Sequence, residues 1–122
     1  MMNHTTQSQK NSNNAGSQHG GPLSGIRVVD LTAMVMGPYC TQLLADMGAD
    51  VIKIEPPGGD GVRYISPGPV PAMGGVFVNV NRGKRSMVLD LRTESGANVL
   101  RELIKTADVF IHSMRAKAKA KW

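Results

Sequence analysis

Residues 26–55 read IRVVDLTAMVMGPYCTQLLADMGADVIKIE, and the fold is decided there. Ile26–Leu31 is a short β-branched run of the kind that becomes a buried strand in a parallel sheet. A loop, Thr32–Gly37, follows. Pro38 suits a first helical turn, and Tyr39, Leu43, Leu44 and Met47 then share one helical face before Gly48 offers a stop. Cys40 falls on this helix and is expected to be half-buried. Val51–Glu55 reads as the next strand, ended by Pro56 and Pro57, which remove two backbone donors. Strand, helix and strand with short connections make a βαβ unit with parallel strands.

Downstream, Gly58–Gly75 holds six glycines and three prolines with Arg63 and Tyr64 among them, an irregular excursion of a length that is usually functional. Val76–Val80 fits a strand or a helix equally well. Regularity returns at Ser86–Leu91, a third strand. Thr93 is an N-cap with Glu94 in the first turn, and Leu100, Leu103, Ile104 and Ala107 lie on one face of the helix that follows. Asp108–His112 makes a fourth strand. The order β-α-β-loop-β-α-β over residues 22–114 predicts a doubly wound α/β domain.

The two ends differ from this body. Residues 1–21 are rich in Asn, Gln, Ser and Gly and too polar to offset the entropy of ordering, so they read as a disordered leader. They carry no export or organelle signal, which makes a cytoplasmic location the expectation. Residues 115–122, RAKAKAKW, form a basic tail with no apolar face. The chain of 122 residues has a net charge of +5, yet all nine acids and nine of the fourteen Lys and Arg residues lie within 22–114. The body is neutral. No aromatic is interleaved with a basic run, so nucleic-acid binding is not expected. No stretch approaches the roughly 20 apolar residues of a membrane span. The single Cys40 excludes an internal disulfide and a multi-cysteine zinc site, and His4 and His19 are isolated, so no metal is expected.

In an open parallel sheet, ligands bind at the carboxyl ends of the strands. Four places qualify: the loop 32–37, the turn after Glu55, the segment Leu89–Arg92, and His112–Arg115. The first opens a helix whose amides favour an anion, but the G-x-G-x-x-G pattern of a dinucleotide site is missing. Glu55 stands where an acid would hold a ribose; without that pattern it reads as a solvated acid at a strand end. The run Asn81-Arg82-Gly83-Lys84-Arg85-Ser86 suits phosphate contact or a solvated turn, and both readings stay open. Neither Cys40 nor His112 has a catalytic partner nearby in sequence, and no two acids pair for acid/base work. The residues by themselves indicate part of an α/β nucleotide- or cofactor-binding domain.

Three motifs add a resemblance: GPLSGIRVVDL at 21–31, GPYCTQLLADMGADVIKIEPPG at 37–58, and NRGKRSMVLDL at 81–91. Occurring in this order, they resemble the amino-terminal region of class III CoA-transferases, the formyl-CoA and carnitine-CoA transferase family, over residues 21 to about 117. Acyl-CoA racemases share the first two motifs, but the third looks more like the transferases. The resemblance implies a Rossmann-like parallel sheet that binds the nucleotide end of coenzyme A, for transfer of CoA between an acyl-CoA thioester and a carboxylic acid. It implies CoA contacts from Val35 and Met36 in the first loop, from Leu89, Asp90, Leu91 and Arg92 after the third strand, and from Ser113, Met114 and Arg115 after the fourth. The family's arginine after the second-strand acid is here Pro56. The last three positions differ from the family's usual Asn-Phe-Gly, though Arg115 keeps a cation for phosphate.

The resemblance also implies an interlocked homodimer in full-length relatives, whose ring closure needs carboxy-terminal sequence and is not expected of this chain. The family's catalytic aspartate and its later glycine-rich loop lie beyond Trp122, so no catalytic residue is nominated and no turnover is expected. The ending Lys119–Trp122 reads as a frameshift or premature stop. Two other expectations compete: a stand-alone CoA- or nucleotide-binding module, and a nonfunctional truncated product.

Overall fold

The structure, a computed structural model, describes residues 20–115, so most of the expected leader and all of the tail after Arg115 lie outside the described residues. Four strands, β1 (Arg27–Leu31), β2 (Asp50–Glu55), β3 (Arg85–Val88) and β4 (Val109–His112), form one parallel sheet in the order β3-β2-β1-β4. The three larger helices are α1 (Met36–Asp46), α2 (Gly75–Asn81) and α3 (Glu94–Lys105). The chain runs outward from β1 to β2 and β3, then returns past β1 to β4, which places a topological switch point between β1 and β4. The α/β expectation holds. Among the described residues, no helix is long and apolar enough to cross a membrane.

Alternation along the strands sends successive side chains to opposite faces. On one face Val28 and Val51 pack under Ala45 and Ala49, at the end of α1 and just beyond it. On the other, Val29, Ile52 and Ile54 pack with Leu100 of α3, joined by Leu103, Ile104 and Ala107 as the helical spacing predicts. Thr93 caps α3 by accepting from the Gly96 amide at 3.1 Å. Gly96 is required there, because a Cβ on it would lie 2.2 Å from the Asp90 carbonyl oxygen.

One open reading is decided and two expectations are corrected. Val76–Val80 is helical, inside α2, and the preceding excursion holds a 3₁₀ turn, Gly61–Tyr64. The third strand ends at Val88 rather than Leu91. Leu89 still donates to the Glu55 carbonyl at 2.9 Å, but the next residues of the neighbouring chain are Pro56 and Pro57, which have no amide to offer, so the ladder stops. Helix α1 is turned the other way: Pro38, Thr41, Gln42 and Ala45 are buried, whereas Tyr39, Cys40, Leu43 and Met47 are exposed. Only Leu44 of the expected face packs against the core. The reason lies in the sheet beneath it.

Candidate functional site

Under the amino-terminal half of α1, the sheet is charged. Asp30, Lys53 and Ser86 are successive register partners across β1, β2 and β3, and Glu55 follows two residues after Lys53 on the same face. Asp30, Lys53 and Glu55 are buried. Each has its own partners. Asp30 accepts from the Thr32 hydroxyl at 2.6 Å, the Thr41 hydroxyl at 2.5 Å and Lys84 Nζ at 3.0 Å. Burial pushes the Asp30 carboxyl up, but the bonds from Thr32 and Thr41 and the Lys84 charge outweigh it and leave the pKa below the usual value. Thr41 is thereby drawn inward, which orients α1.

Lys53 Nζ lies 2.9 Å from Asp60 Oδ2 and donates to the Thr32 carbonyl at 2.9 Å. Glu55, 1% exposed, receives Arg63 as a fork, Nη2 to Oε1 at 2.6 Å and Nε to Oε2 at 2.7 Å. Ser86 donates to Oε1 at 2.7 Å and the Asp60 amide to Oε2 at 2.8 Å. Burial again opposes ionisation, and these four bonds override it, so the Glu55 pKa falls from 4.5 to about 2. Glu55 is therefore a buried anchor rather than the solvated acid expected. Arg63 also lies over the Phe77 ring, 3.7 Å from its centroid, which ties the excursion to α2.

This layer carries the loops at the carboxyl end of the sheet. A cleft of about 470 Å³ is lined by Leu31, by Glu55–Gly58 and by Leu89, Asp90, Leu91 and Arg92. Its walls are mostly leucine and proline, with polar groups at the mouth. Arg92 forks onto Asp90 at 2.9 Å for both Nε–Oδ1 and Nη2–Oδ2, and these bonds with the Arg92 amide hold the Asp90 pKa at about 2. A second recess of about 240 Å³ shares Leu31, Glu55 and Pro56 with the first and adds Thr32, Ala33, Ser113 and Met114. Ser113 bridges the switch point, since its hydroxyl accepts from the Ala33 amide at 3.2 Å.

The residues expected to contact a ligand thus fall into three places. Leu89–Arg92 form one wall of the cleft, and Ser113 and Met114 line the adjoining recess. Val35 and Met36 stand exposed at the start of α1, Met36 at 78%, and line neither space; Arg115 is exposed after β4. The basic run 81–86 turns inward or sideways: Lys84 to Asp30, Arg82 to Asp46, Arg85 to Asp50. Lys53, Asp60 and Arg63 were missed. For Lys53 the signal was in the sequence, since Lys53 and Glu55 interrupt with period two a strand that burial on both faces should make apolar. Among the described residues there is no cluster of three or more His, Cys, Asp or Glu able to hold a metal.

The family model described as CoA-transferase family III matches residues 23–122. The chain belongs to CoA-transferase family III. Within it, the chain is 48% identical over 106 residues to the succinyl-CoA:mesaconate CoA-transferase of Haloarcula hispanica, covering 84% of this chain and 27% of that protein. It is 46% identical over 108 residues to the succinate–glutarate CoA-transferase of Agrobacterium fabrum, with coverage of 83% and 27%. The chain therefore spans about 27% of the length of these curated relatives. Among solved structures, a CAIB/BAIF family protein from Brucella suis superposes with a TM-score of 0.78 at 41% identity, covering 83% of this chain and 28% of that one. A hypothetical protein from Mycobacterium tuberculosis gives 0.76 at 42%, covering 84% and 28%. The CoA-transferase family III assignment accords with the resemblance carried by the three motifs.

Proposed function

We propose that this chain is the part of a cytoplasmic class III CoA-transferase that binds the nucleotide end of coenzyme A, and that it binds CoA without turning it over. The observation that carries this reading is the division of labour among its acids. Asp30, Glu55 and Asp60 are buried and committed to internal partners, and Asp90, at the cleft mouth, is held in a fork by Arg92. Asp30, Glu55 and Asp60 are thereby withheld from attack on a thioester. What remains open is a lined space: leucine and proline walls suited to a flat base, with the Arg92 guanidinium beside them to meet phosphate oxygens.

In the whole protein, this region would hold acyl-CoA while a nucleophile from elsewhere in the polypeptide exchanges the acyl group with a carboxylic acid, as the names of the relatives imply. Titration calorimetry of the purified chain with CoA tests the binding half. Saturable uptake, weakened by Arg92→Ala, is expected; absence of uptake by folded protein refutes it. An assay with succinyl-CoA and a free dicarboxylate tests the other half, and measurable CoA transfer by the chain would overturn it.

A further inference from the structure

The loop between β1 and α1 is held in an unusual way. Three consecutive amides are each bound by a side chain from a different part of the fold: Thr32 by Asp30 of β1 at 2.9 Å, Ala33 by Ser113 beyond β4 at 3.2 Å, and Met34 by Asp60 Oδ1, before the 3₁₀ turn, at 3.3 Å. Met34 has φ +68°, a left-handed conformation costly for a residue with a side chain. Something must hold it. Asp60 is placed to do so, because its other oxygen is fixed by Lys53 and its Oδ1 also takes the Val62 amide at 3.1 Å. Lys53 in turn donates to the Thr32 carbonyl, so one ion pair grips the loop on both sides of Ala33. Both side chains are 2% exposed, and they border the second recess together with Thr32 and Ala33.

We propose that Lys53 and Asp60 are positioning residues for coenzyme A: their ion pair keeps Met34 left-handed and so holds the neighbouring Thr32 and Ala33, which line the second recess, in place for the ligand. This rests on the CoA-binding reading above. The position of the pair explains why two charges are buried at the carboxyl end of a sheet whose other end, on the same face, is apolar. For packing alone, an apolar pair of similar volume would serve as well.

The test uses the full chain and the double variant Lys53→Met/Asp60→Leu, which removes both charges together and leaves neither stranded. Hydrogen exchange without ligand is read at Met34 and across α3, and CoA affinity is read by calorimetry. The clamp predicts at least about tenfold faster exchange at Met34 with α3 unchanged, and about tenfold weaker CoA binding. It also predicts that adding Met34→Gly, which adopts positive φ without strain, restores most of the affinity. Unchanged exchange at Met34, CoA affinity within about twofold of the parent, or no rescue by glycine would each overturn it. If α3 also loses protection in the double variant, the isosteric Asp60→Asn is read by the same criteria. A folded parent chain that takes up no CoA would sink the binding reading, while the Met34 exchange still decides whether the ion pair holds the loop.

Discussion

Arg63 and Glu55 meet at two points, 2.6 and 2.7 Å, across the boundary between an irregular loop and the centre of the sheet. Removing one partner strands the other. Arg63→Met should cost about 3–5 kcal/mol, because it leaves a carboxylate buried and charged. Arg63→Lys should recover only part of this, since one ammonium can neither fork onto both oxygens nor lie flat over Phe77. Urea denaturation at neutral pH gives the values, and a loss for Arg63→Met below about 1 kcal/mol, the range of an exposed pair, would contradict the anchor.

Acid should loosen the same contact. With its pKa at about 2 in the folded chain and near 4.5 otherwise, Glu55 binds fewer protons folded than unfolded between those values. Its contribution is complete above pH 4.5 and drains as pH falls through 2, by on the order of 3 kcal/mol. Asp30 is shifted in the same direction and adds to the slope. Urea midpoints measured from pH 6 to 2.5 should fall steeply in the parent and less steeply in Glu55→Gln, with about 3 kcal/mol as the scale. Parallel profiles would refute the assignment.

Lys84 and Asp30, 3.0 Å apart and both buried, should behave as a unit. Lys84→Met and Asp30→Asn should each destabilise by about 3–5 kcal/mol, and the two together by clearly less than the sum, with a coupling of about 1–3 kcal/mol. Strict additivity in a denaturation cycle would show that the two side chains do not depend on one another.

On α1, apolar and polar positions should exchange their expected sensitivities. Leu43→Gln, on the outward face, should shift stability by no more than about 0.5 kcal/mol. Thr41→Val, nearly the same size, should cost about 1–3 kcal/mol because Asp30 loses a buried donor. Thermal melts of the two variants decide the orientation of the helix, and the reverse ranking would restore the face suggested by Tyr39, Leu43 and Met47.

These contrasts show where residue patterns sufficed. The strand cores Val28–Val29 and Val51–Ile52 and the cap at Thr93 follow from local sequence, because β-branched runs and short capping side chains act over a few residues. Helix α1 did not follow, since its facing depends on Asp30 and Lys84, one of which arrives 54 residues later. Glu55 misled for the same reason: a lone acid at a strand end looks solvated until Arg63 folds back onto it from the glycine-rich excursion. The expected CoA contacts at Leu89–Arg92 lie along the larger cleft because strand ends in a parallel sheet can be located without knowing what neutralises the charges beneath.

The strand order also governs how the molecule comes together in time. Val28 pairs with Val51 on one side, 23 residues on, and with Val109 on the other, 81 residues on. At roughly 5–20 residues per second, synthesis takes ~4–16 s to travel from β1 to β4, and through that interval the open side of β1 is a bare strand edge inviting wrong partners. The Ala33–Ser113 bond can close only after β4 has docked, so the loop between β1 and α1 is finished last. Coenzyme A present during refolding should therefore act late, raising the yield of native chain without speeding the collapse that precedes it.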